Sequence, residues 1–371
     1  MRLESARGLK QQLLQEVIEP FSLWASRLRK AGAVAVTVAA AAARVDGRTV
    51  FGVAACPRAT LPRIQRSIAI GITRHRNQYR LAIRVQRPSL VQSPLIKRIT
   101  REAKGEIDLR IVGRIDKRAK TRRAAERRSR AIAAAIIPWY QGDTRPLLIG
   151  ASVGHVDITA GTIGAFVKRG DATFLLSNNH VLANENLASP GDWILQRAPY
   201  DGGRQPSERV ARVRFWVMLK RTGTNFLDAA LAKVESAVKA DVSRLRELVN
   251  GKDRRLTGVG PEFVDEGEAV HKIGRTTGPT KGRVTAFDLD NLVVNYDMGN
   301  LRFDNQVEIE GAGDQAFSDG GDSGSLIVNA DIEAVALLFA GSDAGGSNGL
   351  GLTYANPIHG ALKNLKSTLL F

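Results

Sequence analysis

The stretch Gly320-Gly321-Asp322-Ser323-Gly324-Ser325 is followed at once by the apolar run Leu326-Ile327-Val328. The run predicts a buried strand, and the glycines predict a tight turn before it. Backbone without side chains can turn so that the N–H groups of Gly321 and Ser323 converge on one spot, where they would stabilise a developing oxyanion. The turn therefore makes Ser323 a candidate nucleophile and pairs Gly321 with Ser323 as a candidate oxyanion hole.

A serine hydroxyl needs a base beside it, and the chain offers a histidine in a suitable context. Imidazole accepts the serine proton when a buried carboxylate holds its other nitrogen. His180 lies in SNNHVL (177–182), after the apolar run 173–176, and Asp228 lies in NFLDAALA (225–232). His180, Asp228 and Ser323 together supply the base, the orienting carboxylate and the nucleophile, and so predict a catalytic triad. The structural alternatives are a loop-capping histidine, a strand-end carboxylate and a hydrogen-bonded serine in a turn.

These motifs resemble the trypsin-like serine peptidase family, whose nucleophile motif reads Gly-Asp-Ser-Gly. The resemblance covers about 146–371 and includes the separations of 48 and 95 residues between the three candidates. The motifs SNNHVLA, GDSGS and LLFAGS are similar to those of a bacterial branch of the family that includes the plant Narrow-leaf type. Further matching segments are AGTIG (160–164), GRTTG (274–278), TKGRV (280–284) and LFAGS (338–342).

The resemblance implies a mainly β fold and a serine endopeptidase that works through an acyl-enzyme without metal or cofactor. It implies two antiparallel six-stranded β-barrels of chymotrypsin type with a C-terminal helix, the first barrel giving His180 and Asp228 and the second giving Ser323. It also implies substrate-binding roles for Phe317, Ser318, Phe339, Ala340 and Gly341. Because neither Phe317 nor Ser318 is acidic, we expect small or apolar residues, rather than Lys or Arg, at the cleaved position.

Asp322 departs from the family's digestive members in its surroundings. In those members this aspartate pairs with an N-terminal amine released by cleavage, yet some 140 residues precede the peptidase region here. Either a basic side chain replaces the amine, which we favour, or cleavage within 117–130 releases the N-terminal part.

The remaining chain predicts four regions. We expect a helical extension at 1–45, a small α/β domain at 46–116, a basic helical linker at 117–140 and the peptidase domain at 141–371. The α/β domain is predicted from strands at 67–73, 79–86 and 107–115 and a helix at 95–104. Many short apolar runs after 138, with turn residues between them, indicate an antiparallel barrel or sandwich, and leucines after Pro357 predict a terminal helix.

Two other catalytic or binding readings are disfavoured. An α/β-hydrolase elbow needs glycine at position 325, which is serine, and its partners follow the nucleophile. The glycines of 274–282 lack the Gly-Lys-Ser/Thr ending of a phosphate loop and predict a hairpin. His155 and His271 lack triad context and are expected to be structural or at the surface, whereas Phe226 and Phe339 are expected in the core.

Basic residues are concentrated in the first third of the chain. Residues 1–130 hold 30 of the 54 Lys and Arg but only 9 of the 37 Asp and Glu. The excess indicates a solvated helix or, alternatively, contact with a polyanion or nucleic acid, in which case the peptidase fold would be autoprocessing, regulatory or inert. No nucleic-acid recognition motif accompanies it.

The cellular location is predicted from cysteine content and the lack of a clear export signal. Cys56 is the sole cysteine, so no internal disulfide can form, which favours the cytoplasm. The alternative is secretion, with the alanine-rich run 31–43 as a signal core. No apolar run is long enough for a transmembrane segment, and an oligomer is left open.

Overall fold

The computed structural model describes residues 1–18, 67–117, 137–262 and 265–371. Most of the predicted helical extension and basic helical linker, together with Cys56, lies outside these residues. The helices are α1 (Leu3–Leu13, continued by a π-helical turn Leu14–Ile18), α2 (Pro94–Glu102), α3 (Asn179–Leu182) and α4 (Ile358–Asn364), with short 3-10 turns at Pro88–Leu90, Trp139–Gln141, Asn184–Asn186 and Pro199–Asp201.

Strands make up most of the described chain. In the N-terminal third they are β1 (Ile68–His75), β2 (Gln78–Val85), β3 (Ile107–Ile111) and β4 (Ile115–Lys117). The middle third contains β5 (Leu147–Leu148), β6 (Ser152–His155), β7 (Gly161–Thr162), β8 (Ala165–Arg169), β9 (Ala172–Ser177), β10 (Trp193–Leu195), β11 (Arg209–Trp216), β12 (Thr224–Asn225), β13 (Ala230–Val234) and β14 (Ala240–Asp241). The last third contains β15 (Arg244–Val249), β16 (Lys252–Arg255), β17 (Gly258–Val259), β18 (Ala269–Gly274), β19 (Gly278–Asp290), β20 (Leu292–Tyr296), β21 (Gly299–Phe303), β22 (Gln306–Gly311), β23 (Leu326–Val328), β24 (Glu333–Ser342), β25 (Leu352–Pro357) and β26 (Thr368–Leu369).

The first barrel is built from the strands that flank the histidine and aspartate motifs. Its sheet runs β8-β9-β13-β11-β10-β6. The segment 161–169 holds both β7, which pairs with β6, and β8, which pairs with β9, so the two ends of the sheet meet in one stretch of chain. Buried Val, Leu, Ile, Phe and Ala side chains from these strands fill the interior.

The second barrel is a closed ring of six antiparallel strands. Going round it, β18 pairs with β19, β19 with β22, β22 with β25, β25 with β24, β24 with β23, and β23 with β18. The hairpin predicted at 274–282 is the β18–β19 connection. A second hairpin, β20–β21, stands beside the ring and packs its apolar residues against β24.

The chain returns to the first barrel at its C-terminus. Ile358 and Ala361 of α4, followed by Leu365, belong to the apolar core of that barrel, and β26 pairs with β8. The predicted mainly β fold of chymotrypsin type with a terminal helix is therefore confirmed, although only the second barrel is a closed ring of six strands and the first is a half-barrel. Within the described residues, no helix has the length and apolar character needed to cross a bilayer.

The small α/β region is an extension of the second barrel's sheet. Strand β1 pairs with β19, and β2 and β3 follow at the outer side. The fully buried guanidinium of Arg84 donates to both carboxylate oxygens of Glu308, at 2.9 and 2.7 Å, and to Asp108 at 2.9 Å. Breaking a buried ion pair of this kind costs about 3–5 kcal/mol, because one charge is left without its partner.

Three expectations from the sequence are corrected. The strand predicted at 107–115 is two strands in different sheet positions, because Gly113 has a positive φ of 68° and turns the chain between them. The run 152–167, one of the apolar runs after 138 that predict single strands, contains β6, β7 and the start of β8, and a turn in which Ile158 N–H donates to the His155 carbonyl separates β6 from β7. Phe226 is 56 % exposed, because the neighbouring Leu227 takes the inward position.

Candidate active site

His180 and Asp228 lie side by side in the first barrel, fully buried. His180 is in α3, directly after β9, and Asp228 precedes β13, which pairs with β9. The imidazole Nδ1 lies 2.5 Å from Asp228 Oδ2, and the His180 backbone N–H donates to Oδ1 at 3.2 Å. A buried carboxylate in this position fixes both the tautomer and the orientation of the ring.

Tyr296 supplies a second hydrogen bond to the aspartate. Its hydroxyl donates to Asp228 Oδ2 at 2.6 Å, and its ring meets the His180 ring edge-on at 5.8 Å. Burial raises the pKa of Asp228, but the charge of His180 and the bonds from His180 and Tyr296 outweigh burial and hold that pKa below its ordinary value. Burial and the Asp228 charge raise the pKa of Tyr296, so its hydroxyl stays protonated and keeps donating.

Ser323 lies in the second barrel, in the turn segment directly before β23. Thr162 links the serine segment to the histidine segment. Its N–H donates to the Ser323 carbonyl at 2.8 Å, and its own carbonyl accepts at 2.7 Å from the hydroxyl of Ser177, which lies three residues before His180. Ser323 Oγ donates to the Phe339 carbonyl at 3.4 Å rather than to the histidine. His180 Nε2 is buried and has no hydrogen-bond partner in the described part of the chain.

The turn before Ser323 requires glycine at Gly321. Its φ of +103° is in the left-handed region, and a Cβ added there would lie 2.3 Å from Thr276 Oγ1. Thr162 Oγ1 donates to the Gly321 carbonyl at 3.1 Å and fixes the orientation of that peptide unit. The predicted oxyanion-hole residues, Gly321 and Ser323, thus sit in one constrained turn.

Asp322 is paired with a basic side chain, Lys272 of β18. The Nζ atom lies 3.2 Å from Asp322 Oδ2, and both side chains are fully buried. Asp322 also accepts from Thr277 Oγ1 at 2.7 Å and from the Thr276 N–H at 2.7 Å. Burial raises the pKa of Asp322, but Lys272 and these donors more than compensate and lower it.

The predicted substrate-binding residues lie on the second barrel. The Phe317 side chain packs inside the barrel core, and the Ser318 hydroxyl is 2.7 Å from Thr353 Oγ1. Phe339, as expected, is in a buried apolar cluster, with its ring 4.8 Å from Phe303. Ala340 and Gly341 follow it along β24.

The sequence interpretation missed Tyr296, and it foresaw a basic partner for Asp322 without identifying Lys272. Tyr296 lies 68 residues from Asp228. His155, expected to be structural, is buried with Nε2 3.2 Å from Asp192 Oδ2, and His271 is partly buried on β18. Across the described ranges, no group of three or more His, Cys, Asp or Glu side chains is arranged to hold a metal ion.

No family model and no curated protein matches the chain. Among solved structures, it is similar to Thermobifida fusca Protease A, with 19 % identity, 60 % of this chain and 97 % of that chain covered, and a TM-score of 0.43. For the Cellulomonas bogoriensis chymotrypsin the values are 17 %, 60 %, 97 % and 0.42. For the Nocardiopsis protease they are 16 %, 60 %, 98 % and 0.43. At this level of similarity, the function of the chain has to be argued from its own residues.

Proposed function

We propose that the protein is a serine endopeptidase that hydrolyses peptide bonds through an acyl-enzyme, with Ser323 as nucleophile, His180 as general base and Asp228 as the orienting carboxylate. The observation that carries the proposal is the fully buried His180 Nδ1 to Asp228 Oδ2 contact of 2.5 Å. It leaves Nε2 as the ring nitrogen that can accept a proton.

The Nε2 atom of His180, which has no hydrogen-bond partner among the residues that the structure describes, supports the same conclusion. A buried polar atom without a partner costs about 1–3 kcal/mol, so it needs a reason to persist. Proton transfer from Ser323 Oγ is such a reason. For this transfer the hydroxyl has to exchange the Phe339 carbonyl for the imidazole, and catalytic hydrogen bonds are commonly long before substrate binds.

The reaction then proceeds in two balanced halves. Ser323 Oγ attacks the peptide carbonyl carbon while His180 takes its proton, and the N–H groups of Gly321 and Ser323 stabilise the oxyanion. His180 passes the proton to the leaving amine as the C–N bond breaks. Water then attacks the acyl-enzyme, again losing a proton to His180, and the acid product leaves while Ser323 regains its hydrogen.

Stopped-flow hydrolysis of an activated nitrophenyl ester tests this mechanism. The full-length chain should give a burst of nitrophenol equal to the enzyme concentration, because acylation precedes slow deacylation. Ser323→Ala should lose the burst, whereas Ser207→Ala, which changes a surface serine of the first barrel, should keep it. A burst that survives in Ser323→Ala contradicts the proposed nucleophile.

Several finer expectations remain predictions. We propose a cytoplasmic protein close to the Narrow-leaf type branch, with small or apolar residues preferred at the cleaved position.

Polyanion binding through residues 1–135 is the alternative function. It is tested by titrating the full-length chain with DNA or RNA at rising salt, since binding by phosphate contacts weakens steeply as salt rises. No binding at low salt would remove that alternative.

A further inference from the structure

Strand β4 lies against the part of β24 that leads away from the candidate nucleophile. The pairing is antiparallel, with Ala340 opposite Lys117, Gly341 opposite Asp116 and Ser342 opposite Ile115. On its other side β4 pairs in parallel with β20, where Asp116 is opposite Asn295 and accepts from its amide at 3.0 Å. The short strand is thus inserted between β24 and the β20–β21 hairpin.

The direction of β4 relates it to Ser323. The residue before Ala340 is Phe339, whose carbonyl accepts from Ser323 Oγ at 3.4 Å. Lys117, at the carboxyl end of β4, is opposite Ala340, and Ile115 is further away. The strand therefore runs towards the nucleophile along an edge that starts beside it.

Ile115 is the apolar anchor of β4. It is 1 % exposed and belongs to the buried cluster that contains Phe339, Phe303 and Tyr296. Burial of the isoleucine side chain away from water stabilises β4 in this position. The same cluster contains Tyr296, whose hydroxyl donates to Asp228. The apolar contacts of β4 therefore lie next to a residue of the proposed triad.

Lys117 anchors the strand electrostatically and connects it with the first barrel. Its Nζ contacts Glu185 Oε1 and lies 2.7 Å from Asp297 Oδ2. Glu185 is 5 % exposed and lies in the turn that follows α3, the helix of His180. Glu185 also accepts from the N–H groups of Asp297 and Met298, at 3.1 and 2.8 Å, so the acidic seat for Lys117 is fixed by backbone contacts.

An extended segment in this position uses the interactions by which strand edges bind peptides. Main-chain hydrogen bonds give affinity to any extended peptide, and sockets for alternate side chains give specificity. In β4 the alternate residues are Ile115, in the apolar cluster, and Lys117, between two carboxylates. The segment is tethered, so its effective concentration at the edge is about millimolar or higher.

We propose that β4 is a substrate-like strand held on the peptide-binding edge of the enzyme by its own chain, so that peptide hydrolysis requires its displacement. This inference rests on the proposed peptidase function. The peptides that displace β4 are extended. They carry an apolar side chain at the position of Ile115 and a basic side chain two residues later, at the position of Lys117. The edge Ala340 to Ser342 is closed to other peptides until β4 leaves.

Lys117→Glu in the full-length chain tests the inference, because the new carboxylate is repelled by Glu185 and Asp297. We expect kcat/KM for an extended peptide to rise about tenfold, since the fraction of open enzyme limits peptide binding. Hydrolysis of a small nitrophenyl ester, which makes no contact with this edge, should change less than about twofold. Lys97→Glu, the same charge change at an exposed position on α2, is the matched control and should leave both rates unchanged.

The outcomes separate the inference from the proposed function. Unchanged or slower peptide hydrolysis in Lys117→Glu, with ester hydrolysis intact, overturns the role of β4 and leaves the peptidase assignment standing. Absence of ester hydrolysis in both the wild-type and the Lys117→Glu chain overturns the peptidase assignment, and the inference with it.

A binding measurement tests the same edge without catalysis. In a Ser323→Ala background, a fluorescent peptide Gly-Arg-Ile-Asp-Lys-Arg should bind about tenfold more tightly when Lys117→Glu is added, because the tethered competitor is weakened. The peptide Gly-Arg-Asp-Ile-Lys-Arg, with the two central residues exchanged, should bind more weakly than the first. Equal affinity of the first peptide for both chains, or equal affinity of both peptides, contradicts the inference. Hydrogen exchange at Ala340 to Ser342 should also accelerate in Lys117→Glu and not in Lys97→Glu.

Discussion

The Nζ atom of Lys272 lies 3.2 Å from the carboxylate of Asp322, the residue directly before the candidate nucleophile. Both side chains are fully buried. This contact gives Asp322 a basic partner from within the chain. The turn of Gly321 to Ser323 is therefore tied to β18 without a new chain end. The favoured expectation of a basic side chain at Asp322 agrees with this geometry.

Lys272→Met should destabilise the protein by about 3–5 kcal/mol, because Asp322 is left as a buried charge without its partner. Urea unfolding of the full-length chain measures the loss. In the double variant Lys272→Met with Asp322→Leu, part of the stability should return, since neither side chain of this pair is then charged. Additive losses in the double variant would show that the two groups do not act as a pair.

The pH dependence of stability follows from the lowered pKa of Asp322. A carboxylate whose pKa is lower in the folded state stabilises fully above its ordinary value of 3.8, and loses that contribution as pH falls below 3.8 through the folded pKa. The stability difference between wild type and Asp322→Asn should thus be constant above about pH 5 and shrink in acid. Urea titrations from pH 7 to 2 measure it. A difference that grows in acid contradicts the ionised pair.

Tyr296→Phe should lower kcat for ester hydrolysis on the order of tenfold, because a hydrogen bond to a buried charge stabilises by about 1.5–3 kcal/mol. KM should change little, since the hydroxyl contacts Asp228 rather than substrate. The comparison variant is Tyr79→Phe, whose ring packs on Phe287 in the α/β region and which should retain both constants. A rise in KM with unchanged kcat would argue against a positioning role for Tyr296.

Local sequence patterns predict some parts of the candidate site and of the fold but not the contacts between distant segments. The triad candidates and the terminal helix could be predicted, because a glycine-rich turn, an apolar strand pattern and leucines at helical spacing are local signals. Tyr296 could not, since its bond to Asp228 joins the β20–β21 hairpin to the first barrel across 68 residues. A tyrosine in a strand gives no sign of which distant group its hydroxyl reaches.

Predicted strand boundaries are wrong where the backbone conformation of one residue interrupts a continuous apolar pattern. The apolar alternation of 107–115 continues through Gly113, yet its positive φ sends Ile115 to Lys117 onto β24. The position of β4 beside the candidate site could therefore not be read from the chain. The apolar character of Phe226 predicts a core position, but of the adjacent Phe226 and Leu227 only Leu227 faces inward.

Gly321→Ala should slow ester hydrolysis about 10²–10³-fold, the usual effect of losing one oxyanion donor. The added methyl group would meet Thr276 Oγ1 at 2.3 Å and displace the turn. Gly313→Ala is the matched control, because Gly313 also has a positive φ, of 65°, but a Cβ there has no atom within 4 Å among the described residues. It should lose some stability and keep its ester activity. Equal losses of activity in the two variants would assign the effect to backbone strain.

The most direct test of the central claim is covalent labelling of the full-length chain with a small fluorophosphonate, followed by mass spectrometry of the peptide that contains Ser323. We predict a single phosphonyl adduct on Ser323 Oγ, formed in the wild type and much more slowly in His180→Ala, because the imidazole activates the hydroxyl. Ser323→Ala should take up no label. Labelling at another serine, or an undiminished rate in His180→Ala, would contradict the account.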